Sequence, residues 1–348
     1  MLVKRFDENP LITPADICPS RPDYEVVGAF NPGATVYNGE TLLLLRVAER
    51  PKDKADNEEV APILDPQSGE LRHFRVAHNQ YDLEIPDSRS FIYKGKMYLT
   101  SISHLRIARS TDGIHFKVDE QPAVFPETEY ETFGLEDPRI SQIGDEFYIT
   151  YKVVSAHGIC TGLLKTRDFE RFDRQGIIFC PENIDVVLFP EKINGKFYAL
   201  TRPVPKHIGP FSIWLASSED AIRWGNHIPL ITPREGNFDG GKVGGSCVPI
   251  RTDEGWLEIY HGADANGRYS LAAALLDIND PTRVIARANV PLMQPEAEYE
   301  THGFYGNVVF ACGAITDAKG KVTIYYGASD EYTAGATTTI EKIMTTMK

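Results

Sequence analysis

Short apolar strands alternate with polar turns along the whole chain, and one phrase of this pattern recurs. The phrase is an apolar strand, a turn that contains Gly or Asp, and a second strand rich in Tyr and Leu. Its copies follow one another at intervals of about 50 to 60 residues, which is typical of propellers and other repeat arrays. The six copies are residues 31–46, 87–100, 137–151, 187–202, 247–261 and 307–326.

The turns inside the copies carry hairpin signals. After each hairpin the pattern indicates a further pair of strands, so that one unit holds about four strands, the size of a propeller blade. The turn dipeptides are Asn38-Gly39, Lys94-Gly95, Gly144-Asp145, Asn194-Gly195, Glu254-Gly255 and Lys319-Gly320.

The pattern predicts an all-β fold, a β-propeller in a single domain over residues 1–348. Two arrangements are open: six blades, or five blades in which the two chain ends complete one blade together. Residues 337–348 predict a short C-terminal helix. Residues 50–80 are polar and predict an extended excursion over the surface.

The composition is ordinary for a globular protein, with 42% apolar and 24% charged residues. The formal net charge of −13 argues against a nucleic-acid partner, which needs a basic face. Five scattered cysteines without a CxxC pair fit a reducing compartment. We expect a cytoplasmic protein without a membrane partner, because the sequence has no secretory signal and no apolar stretch of about 18 residues.

Each copy of the phrase begins or ends on a polar or charged residue. If the copies form inner strands around one axis, these side chains meet in a single pocket and define a candidate active site. The residues are Asn31, Arg46, Asp87, Asp137, Arg202 and His261.

The candidate acid lies in Glu136-Asp137-Pro138-Arg139. A residue before proline is biased to extended backbone, so the Asp137 carboxylate projects sideways where its strand begins. A lone Asp-Pro is usually a turn, and a salt bridge to Arg139 would complete that structural interpretation. The position of the motif within the repeat favours a catalytic role instead.

Arg46, Arg202, Lys242 and His261 form a candidate anion site. Lys242 lies in the glycine-rich run of residues 239–246, where backbone N–H groups and a lysine can approach an oxyanion closely. Each cation alone is more simply explained as solvated or paired with an acid. Together, in an acidic protein, they predict anion binding.

A second set of residues predicts sugar recognition. Asp330 ends the last phrase and, with Asn31, can hydrogen-bond sugar hydroxyls. The loop aromatics Tyr130, Phe304 and Tyr305 either stack on a pyranose ring or fill the core. The nine histidines show no metal-binding spacing and no cofactor-binding motif is present, so we expect neither metal nor cofactor.

At these residues the sequence resembles glycoside hydrolase family 130, the β-mannoside phosphorylases, over nearly the whole chain. The resemblance implies the family's five-bladed β-propeller and therefore favours five blades over six. It rests on the segments NPGATVYNGETLLLLR, GLEDPR, LFPEKINGKFYALTRP, GGKVGGSCVPIRTDEGWLEIYHGAD, AALLDINDPTRV and IYYGASDE.

The resemblance also implies roles. Asp137 matches the general acid, which acts through the mannose 3-hydroxyl, while inorganic phosphate as co-substrate attacks the anomeric carbon and yields α-mannose 1-phosphate with inversion. Asn31, Arg46 and Asp330 match residues that hold the mannose, and we add Arg139 and Tyr130 to this sugar-binding set. Arg202, Lys242 and His261 match the phosphate-binding residues.

One position departs from the family pattern. Many family phosphorylases carry a basic residue just before the strand that matches residues 186–190, where this chain has Ile184 and Asp185. One phosphate contact is therefore missing, or Asn183 or a residue elsewhere supplies it.

Three functions remain open at this point. A phosphorylase fits one carboxylate plus cations, because phosphate is itself a nucleophile and needs no catalytic base. An inverting β-mannosidase would use Glu131, Glu136 or Asp185 as its base, and a non-catalytic propeller would only bind glycans or proteins. For a phosphorylase we expect β-1,2-mannobiose or short β-1,2-mannooligosaccharides, with mannosyl-β-1,4-glucose and β-1,4-mannobiose as alternatives. The oligomeric state is open, a homo-oligomer included.

Overall fold

The computed structural model describes residues 1–347 and is almost entirely β, with antiparallel strands in five successive groups. Neighbouring strands within a group pair through tight turns, and all six predicted turn dipeptides lie between paired strands. Apolar runs flanked by Gly, Asn or Asp thus form hairpins where the pattern predicts them.

The first group contains a long insertion. Strands β2, β3, β9 and β10 form its sheet, while β4 with β5, and β6 with β7 and β8, form two small separate sheets. The strands are β1 (Lys4–Arg5), β2 (Tyr24–Tyr37), β3 (Glu40–Pro51), β4 (Glu58–Asp65), β5 (Glu70–Ala77), β6 (Leu83–Asp87), β7 (Ser90–Tyr93), β8 (Lys96–Leu99), β9 (Ile102–Ser110) and β10 (Lys117–Val118), with a 3-10 turn at Pro14–Asp16.

The second and third groups are simple four-stranded meanders. A short parallel contact between Gly134 and Ser103 joins the second group to β9 of the first. The strands are β11 (Gly134–Ile143), β12 (Glu146–Ser155), β13 (Gly158–Thr166), β14 (Asp173–Phe179), β15 (Asn183–Leu188), β16 (Phe197–Pro203), β17 (Ile213–Ser218) and β18 (Gly225–Ile231).

The fifth group is completed by the start of the chain, because β1 pairs with its last strand and places Lys4 opposite Thr337. The predicted C-terminal helix is confirmed over Ile340–Thr345, and Thr339 caps it by accepting a hydrogen bond from the backbone of Lys342. The fourth group contains β19 (Lys242–Gly245), β20 (Ile250–Arg251), β21 (Trp256–Ala263), β22 (Tyr269–Leu276) and β23 (Val284–Arg287). Helix α1 (Glu298–Thr301) follows it, and the fifth group contains β24 (Val309–Thr316), β25 (Lys321–Ala328) and β26 (Tyr332–Thr339), followed by α2 (Ile340–Thr345).

Buried apolar side chains cluster between successive groups rather than inside one central core. Each group packs against the next, and the fifth packs against the first. Residues of successive groups that share a cluster include Leu42 and Leu135, Leu163 and Leu188, Val187 and Trp256, Leu257 and Val309, and Leu43 and Tyr325.

Two expectations about the insertion were wrong. Residues 87–100 resemble the repeated phrase but open no group; they belong to the small sheet of β6, β7 and β8, whose short strands bury few side chains apart from Phe91. Residues 50–80 are more than a polar excursion. They contain the hairpin of β4 and β5, which buries Val60, Ala61 and Val76.

The first strands of three groups share one irregularity. β2, β11 and β15 each shift register around one residue, which has a left-handed backbone: Asn31 (φ 49°), Asp137 (φ 49°) and Asp185 (φ 55°). Asn and Asp adopt this conformation more easily than other non-glycine residues. Because a bulge re-aims its side chain, the three polar groups leave the regular pleat.

Candidate active site

A cleft of about 370 Å³ opens where the bulges of β2 and β11 meet. Five of the residues predicted to converge or to bind sugar line it, namely Asn31, Arg46, Asp87, Asp137 and Asp330, together with the aromatic rings of Phe304 and Tyr305. Its other charged walls are Arg89, Glu136 and Lys152, and its other aromatic walls are Phe30, Tyr269 and Phe310.

The Asp137 carboxylate is 2% exposed and is surrounded by hydrogen-bond donors. Oδ1 accepts from Asn31 Nδ2 at 2.8 Å and from an Arg46 guanidinium nitrogen at 3.2 Å, while Oδ2 accepts from Lys152 Nζ at 2.5 Å. Arg46 also donates to Glu136 Oε1 at 2.7 Å. Two of the predicted sugar-binding residues, Asn31 and Arg46, therefore contact the candidate acid.

These contacts fix the protonation of Asp137 in the unliganded protein. Burial opposes its ionisation, but the charges of Lys152 and Arg46 outweigh burial and hold the pKa of Asp137 well below its usual range. The opposite holds for Asp330, where burial outweighs the attraction of Arg46 and Arg89 and raises the pKa. Asp137 is thus firmly ionised, whereas Asp330 is more easily protonated.

Lys152, which the sequence reasoning missed, lies on β12 opposite Glu136 of β11. It is a single charge within an otherwise apolar run, residues 147–154, and that isolation was the available signal. Its Nζ also lies 3.7 Å from Asp185 Oδ1. Burial lowers the pKa of this ammonium, but Asp137 and Asp185 outweigh burial and raise it.

A second cavity of about 260 Å³ shares Ile159 with the main cleft and holds two of the predicted phosphate-binding residues, Arg202 and Lys242. Ile184 also lines it, so the position that is often basic in the family is an apolar wall here. Burial, reinforced by the charge of Arg202, lowers the pKa of Lys242 to about 8. Two cations and one acid, Glu182, therefore line this cavity.

Asp185 organises the groups behind this cavity. Its Oδ2 accepts from Arg202 at 2.7 Å and its Oδ1 from Arg139 at 3.2 Å, with Lys152 and His261 also in contact. We call these five residues the Asp185 cluster. Burial opposes ionisation of Asp185, but Arg202 and Lys152 dominate and hold its pKa well below the usual range.

His261 was expected as a phosphate-binding cation, and its environment argues against the charge. The ring is fully buried, its Nδ1 lies 3.0 Å from Ser246 Oγ, and burial lowers its pKa to about 4. His261 is therefore neutral at pH 7.

Gly244 also differs from the expected anion-binding backbone. A Cβ at this position would meet the His261 ring at 2.5 Å and Asp185 at 2.8 Å, so this glycine makes room for the Asp185 cluster.

Three further predicted residues lie outside the two cavity linings. The Arg139 guanidinium is 1% exposed and donates to Asp185 and to the backbone carbonyls of Asp137, Gly245 and Ser246, which suits positioning rather than sugar contact. Tyr130 is an exposed loop residue whose ring lies 5.8 Å from that of His157. Asn183 uses its side chain to accept from Thr201.

The insertion supplies one wall of the main cleft. Arg89, which the sequence reasoning missed, donates to Asp87 at 2.8 Å and to Asp330 at 3.3 Å, and its guanidinium lies 3.6 Å from the centre of the Tyr305 ring. Ser88 donates to the carbonyl of Phe304 at 2.8 Å. The small sheet of β6, β7 and β8 is thereby attached to the loops after the fourth group.

Neither a membrane span nor a metal centre is found in the described part of the chain. No helix within residues 1–347 is long and apolar enough to cross a membrane. In the same residues, no three His, Cys, Asp or Glu side chains form a group that could hold a metal ion.

Comparison with known proteins identifies the family of the chain. Residues 76–348 match the model of glycoside hydrolase family 130, described as β-1,4-mannooligosaccharide phosphorylase. The chain is 49% identical to a β-1,2-mannobiose phosphorylase of Listeria innocua over 99% of this chain and 98% of that protein, and 40% identical to a 1,2-β-oligomannan phosphorylase of Thermoanaerobacter over 66% of this chain and 76% of that protein. The solved structure of a Listeria innocua β-1,2-mannobiose phosphorylase with β-1,2-mannobiose superimposes with a TM-score of 0.97 at 48% identity, covering 100% of this chain and 99% of that one. The family match and the full-length likeness together place this chain in glycoside hydrolase family 130.

Proposed function

We propose that this enzyme catalyses the inverting phosphorolysis of β-1,2-mannobiose and short β-1,2-mannooligosaccharides. Inorganic phosphate is the co-substrate, and the products are α-mannose 1-phosphate and the shortened sugar. The observation that carries the proposal is that two cavities of different chemistry adjoin each other. A cleft with one candidate acid, Asp137, adjoins a cavity that holds two cations, Arg202 and Lys242.

The division of the site matches what phosphorolysis needs. A phosphate oxygen is a competent nucleophile, so the protein has only to bind the anion and align it with the scissile bond. Arg202 and Lys242 supply that binding from the second cavity, while Asn31, Arg46 and Asp330 hold the mannose in the cleft. Asp137 then donates a proton, through the mannose 3-hydroxyl, to the departing glycosidic oxygen.

None of the three carboxylates considered as a hydrolytic base is free in the main cleft. Asp185 is fully buried and paired with two arginines, and Glu131 is 1% exposed and accepts from Tyr151 and Arg174. Neither can hold an attacking water in the cleft. Glu136 does line the cleft, but its carboxylate is paired with Arg46. An inverting hydrolase needs a second, available carboxylate roughly 6.5–9.5 Å from the acid, so phosphorolysis is favoured.

The preference for β-1,2 linkages rests on full-length likeness to the Listeria innocua enzyme. The acceptor sugar is bounded by the insertion, where Arg89, paired with Asp87, packs against the Tyr305 ring. This wall comes from β6 and the turn that follows it and not from the repeated strands, which is why acceptor choice can vary independently of the catalytic groups.

The fold that supports this function is proposed to be a five-bladed β-propeller in a single domain. The five successive strand groups, the apolar cluster shared by the fifth and first groups, and the pairing of β1 with β26 support it. We further propose that the enzyme needs no cofactor and works in the cytoplasm, where its five free cysteines suit a reducing environment.

The test measures mannose 1-phosphate from β-1,2-mannobiose and from β-1,4-mannobiose, each with and without inorganic phosphate. We expect phosphate-dependent product from the β-1,2 disaccharide, with the α configuration of the product read by NMR. Free mannose formed without phosphate would establish the hydrolase instead. Asp137→Asn should abolish turnover; if it leaves the only measurable activity, glycan binding, unchanged and the wild type shows no turnover, the protein is a binding module.

A further inference from the structure

Lys152 contacts both carboxylates that connect the two cavities. Its Nζ lies 2.5 Å from Asp137 Oδ2 and 3.7 Å from Asp185 Oδ1. The other Asp185 oxygen is held at 2.7 Å by Arg202, which lines the second cavity. The ammonium therefore stands between the proposed acid and the proposed phosphate subsite.

The unliganded arrangement disfavours a proton on Asp137. Asn31 and Arg46 donate to one carboxylate oxygen and Lys152 donates to the other. An amide N–H, a guanidinium and an ammonium are all donors, and two of these groups are cations that favour the ionised carboxylate. Loss of one cationic partner would make Asp137 easier to protonate and so a more effective acid.

Lys152 is the partner that a bound phosphate displaces most directly. Arg46 is also anchored by Glu136 and by Ser103, so its guanidinium has fixed contacts apart from Asp137. Lys152 has a flexible stem, lines the cleft, and already contacts the Asp185 cluster. Its ammonium can move toward the second cavity without leaving its other carboxylate.

We propose that Lys152 links occupation of the phosphate subsite to protonation of Asp137, an inference that rests on the proposed function. A phosphate dianion beside Arg202 and Lys242 attracts the Lys152 ammonium away from Asp137. Oδ2 then loses its cationic partner and takes up a proton from solvent. Lys152 is a positioning residue that acts through Asp137.

The proton balance closes over one turnover. The glycosidic C1–O bond breaks, its electron pair stays on the departing oxygen, and that oxygen receives the Asp137 proton through the mannose 3-hydroxyl. Hydrogen phosphate forms the new bond to C1 and releases its own proton to solvent. One proton is taken up and one is released, so sugar and hydrogen phosphate are the only reactants.

Other charged and titratable groups lie around Lys152 or around its two carboxylates, Asp137 and Asp185, and enter the same electrostatic balance. They come from the strands that surround Lys152. In the proposed response to phosphate, Lys152 is the group that moves. The groups are Arg46 of β3, Glu136, Asp137 and Arg139 of β11, Asp185 of β15, Arg202 of β16, Lys242 of β19, His261 of β21, Tyr269 of β22, Cys312 of β24 and Asp330 after β25.

The experiment compares pH profiles of phosphorolysis at low and at saturating phosphate. The kcat/KM for β-1,2-mannobiose falls as the pH rises through the pKa of the general acid. In the wild type we expect this descending limb of the pH profile to lie at least one pH unit higher at saturating phosphate than at low phosphate. Lys152→Gln keeps an N–H donor but loses the charge, and it should place the limb at the same pH at both phosphate concentrations. Lys152→Arg should retain the shift.

Lys165 provides the matched control, because its ammonium contacts Glu146 at 3.4 Å on a neighbouring strand and lines neither cavity. Lys165→Gln should give the wild-type profiles. A limb that still moves with phosphate in Lys152→Gln, or that does not move in the wild type, overturns the inference. The wild-type comparison needs no variant, so a wild-type limb that does not move with phosphate overturns the inference even if Lys152→Gln does not fold. Absence of any mannose 1-phosphate from the wild type would instead overturn the proposed function.

Discussion

Replacing Asp185 with asparagine separates the stabilising role of the Asp185 cluster from its effect on phosphate. Asparagine has the same shape but no charge, and it leaves one acceptor oxygen for Arg139 and Arg202. Removing one partner of a buried ion pair costs about 3–5 kcal/mol. At about 2 °C per kcal/mol for a large domain, we expect Asp185→Asn to lower Tm by about 6–10 °C.

The same substitution should strengthen phosphate binding. Asp185 places a negative charge against Arg202, and a phosphate on the far side of that guanidinium would lie about 6 Å from the carboxylate. At an effective dielectric constant of about 20, that separation opposes each phosphate charge by about 3 kcal/mol. Even with half of this lost to relaxation, phosphate should bind at least about tenfold more tightly, which adds about 1.4 kcal/mol of phosphate-dependent stabilisation.

Asp239 offers the matched control. It is also fully buried and accepts from two arginines, Arg234 and Arg287, and from Tyr260, but it lines neither cavity. Thermal melting with and without phosphate should therefore show a similar loss of Tm for Asp185→Asn and Asp239→Asn. Only the first should show an enlarged phosphate response. Equal phosphate responses in the two variants, or a Tm of Asp185→Asn within 1 °C or so of the wild type, would refute the reasoning.

Three further predictions follow from the same electrostatics. The pKa of His261 falls from 6.5 to about 4 on folding, so the unfolded chain binds a proton that the folded protein excludes. Stability should drop by about 3 kcal/mol as the pH falls through this window, and His261→Gln should flatten that limb of a Tm–pH curve; a parallel curve would contradict the assignment. Because Lys242 loses its proton near pH 8, steady-state kinetics should show the wild-type KM for phosphate rising above that pH. In Lys242→Arg the KM for phosphate should stay level over the same range. A level KM in the wild type would exclude Lys242 from phosphate binding. Arg89→Ala should raise the KM for mannose as acceptor in the synthetic direction about tenfold, through loss of a charged hydrogen bond. Arg109 is paired with a surface aspartate, so Arg109→Ala should leave this KM unchanged. Equal effects of the two substitutions would remove the insertion from the acceptor subsite.

Local sequence chemistry predicted the hairpins and much of the main cleft. Turn dipeptides and apolar alternation are short-range signals, and they located the hairpins that open all five groups. The convergence of Asn31, Arg46 and Asp137 followed from assuming that equivalent positions of a repeat face one axis. The same assumption placed Arg202 and His261 in that pocket, whereas Arg202 lines the second cavity, His261 lines neither, and Asp87 reaches the cleft from the insertion.

The rest depends on burial and on contacts between distant segments. The sequence cannot show that Arg139 turns inward to Asp185, because both residues sit in motifs that suit surface chemistry equally well. Burial makes His261 neutral, and burial is a property of the folded neighbours Phe310 and Ser246. Arg89 reaches the cleft only because the insertion folds back on the loops after the fourth group.

The bulges of β2, β11 and β15 restrict how this site can change. At a left-handed position, any non-glycine side chain other than Asn or Asp strains the backbone by about 1–2 kcal/mol. Positions 31, 137 and 185 therefore favour glycine or a short amide or carboxylate over larger side chains. Exchanging an amide for a carboxylate alters a charge in the middle of the site while the side chain keeps its shape. The backbone thus permits the electrostatics of catalysis and anion binding to be retuned one charge at a time, without rebuilding the pocket.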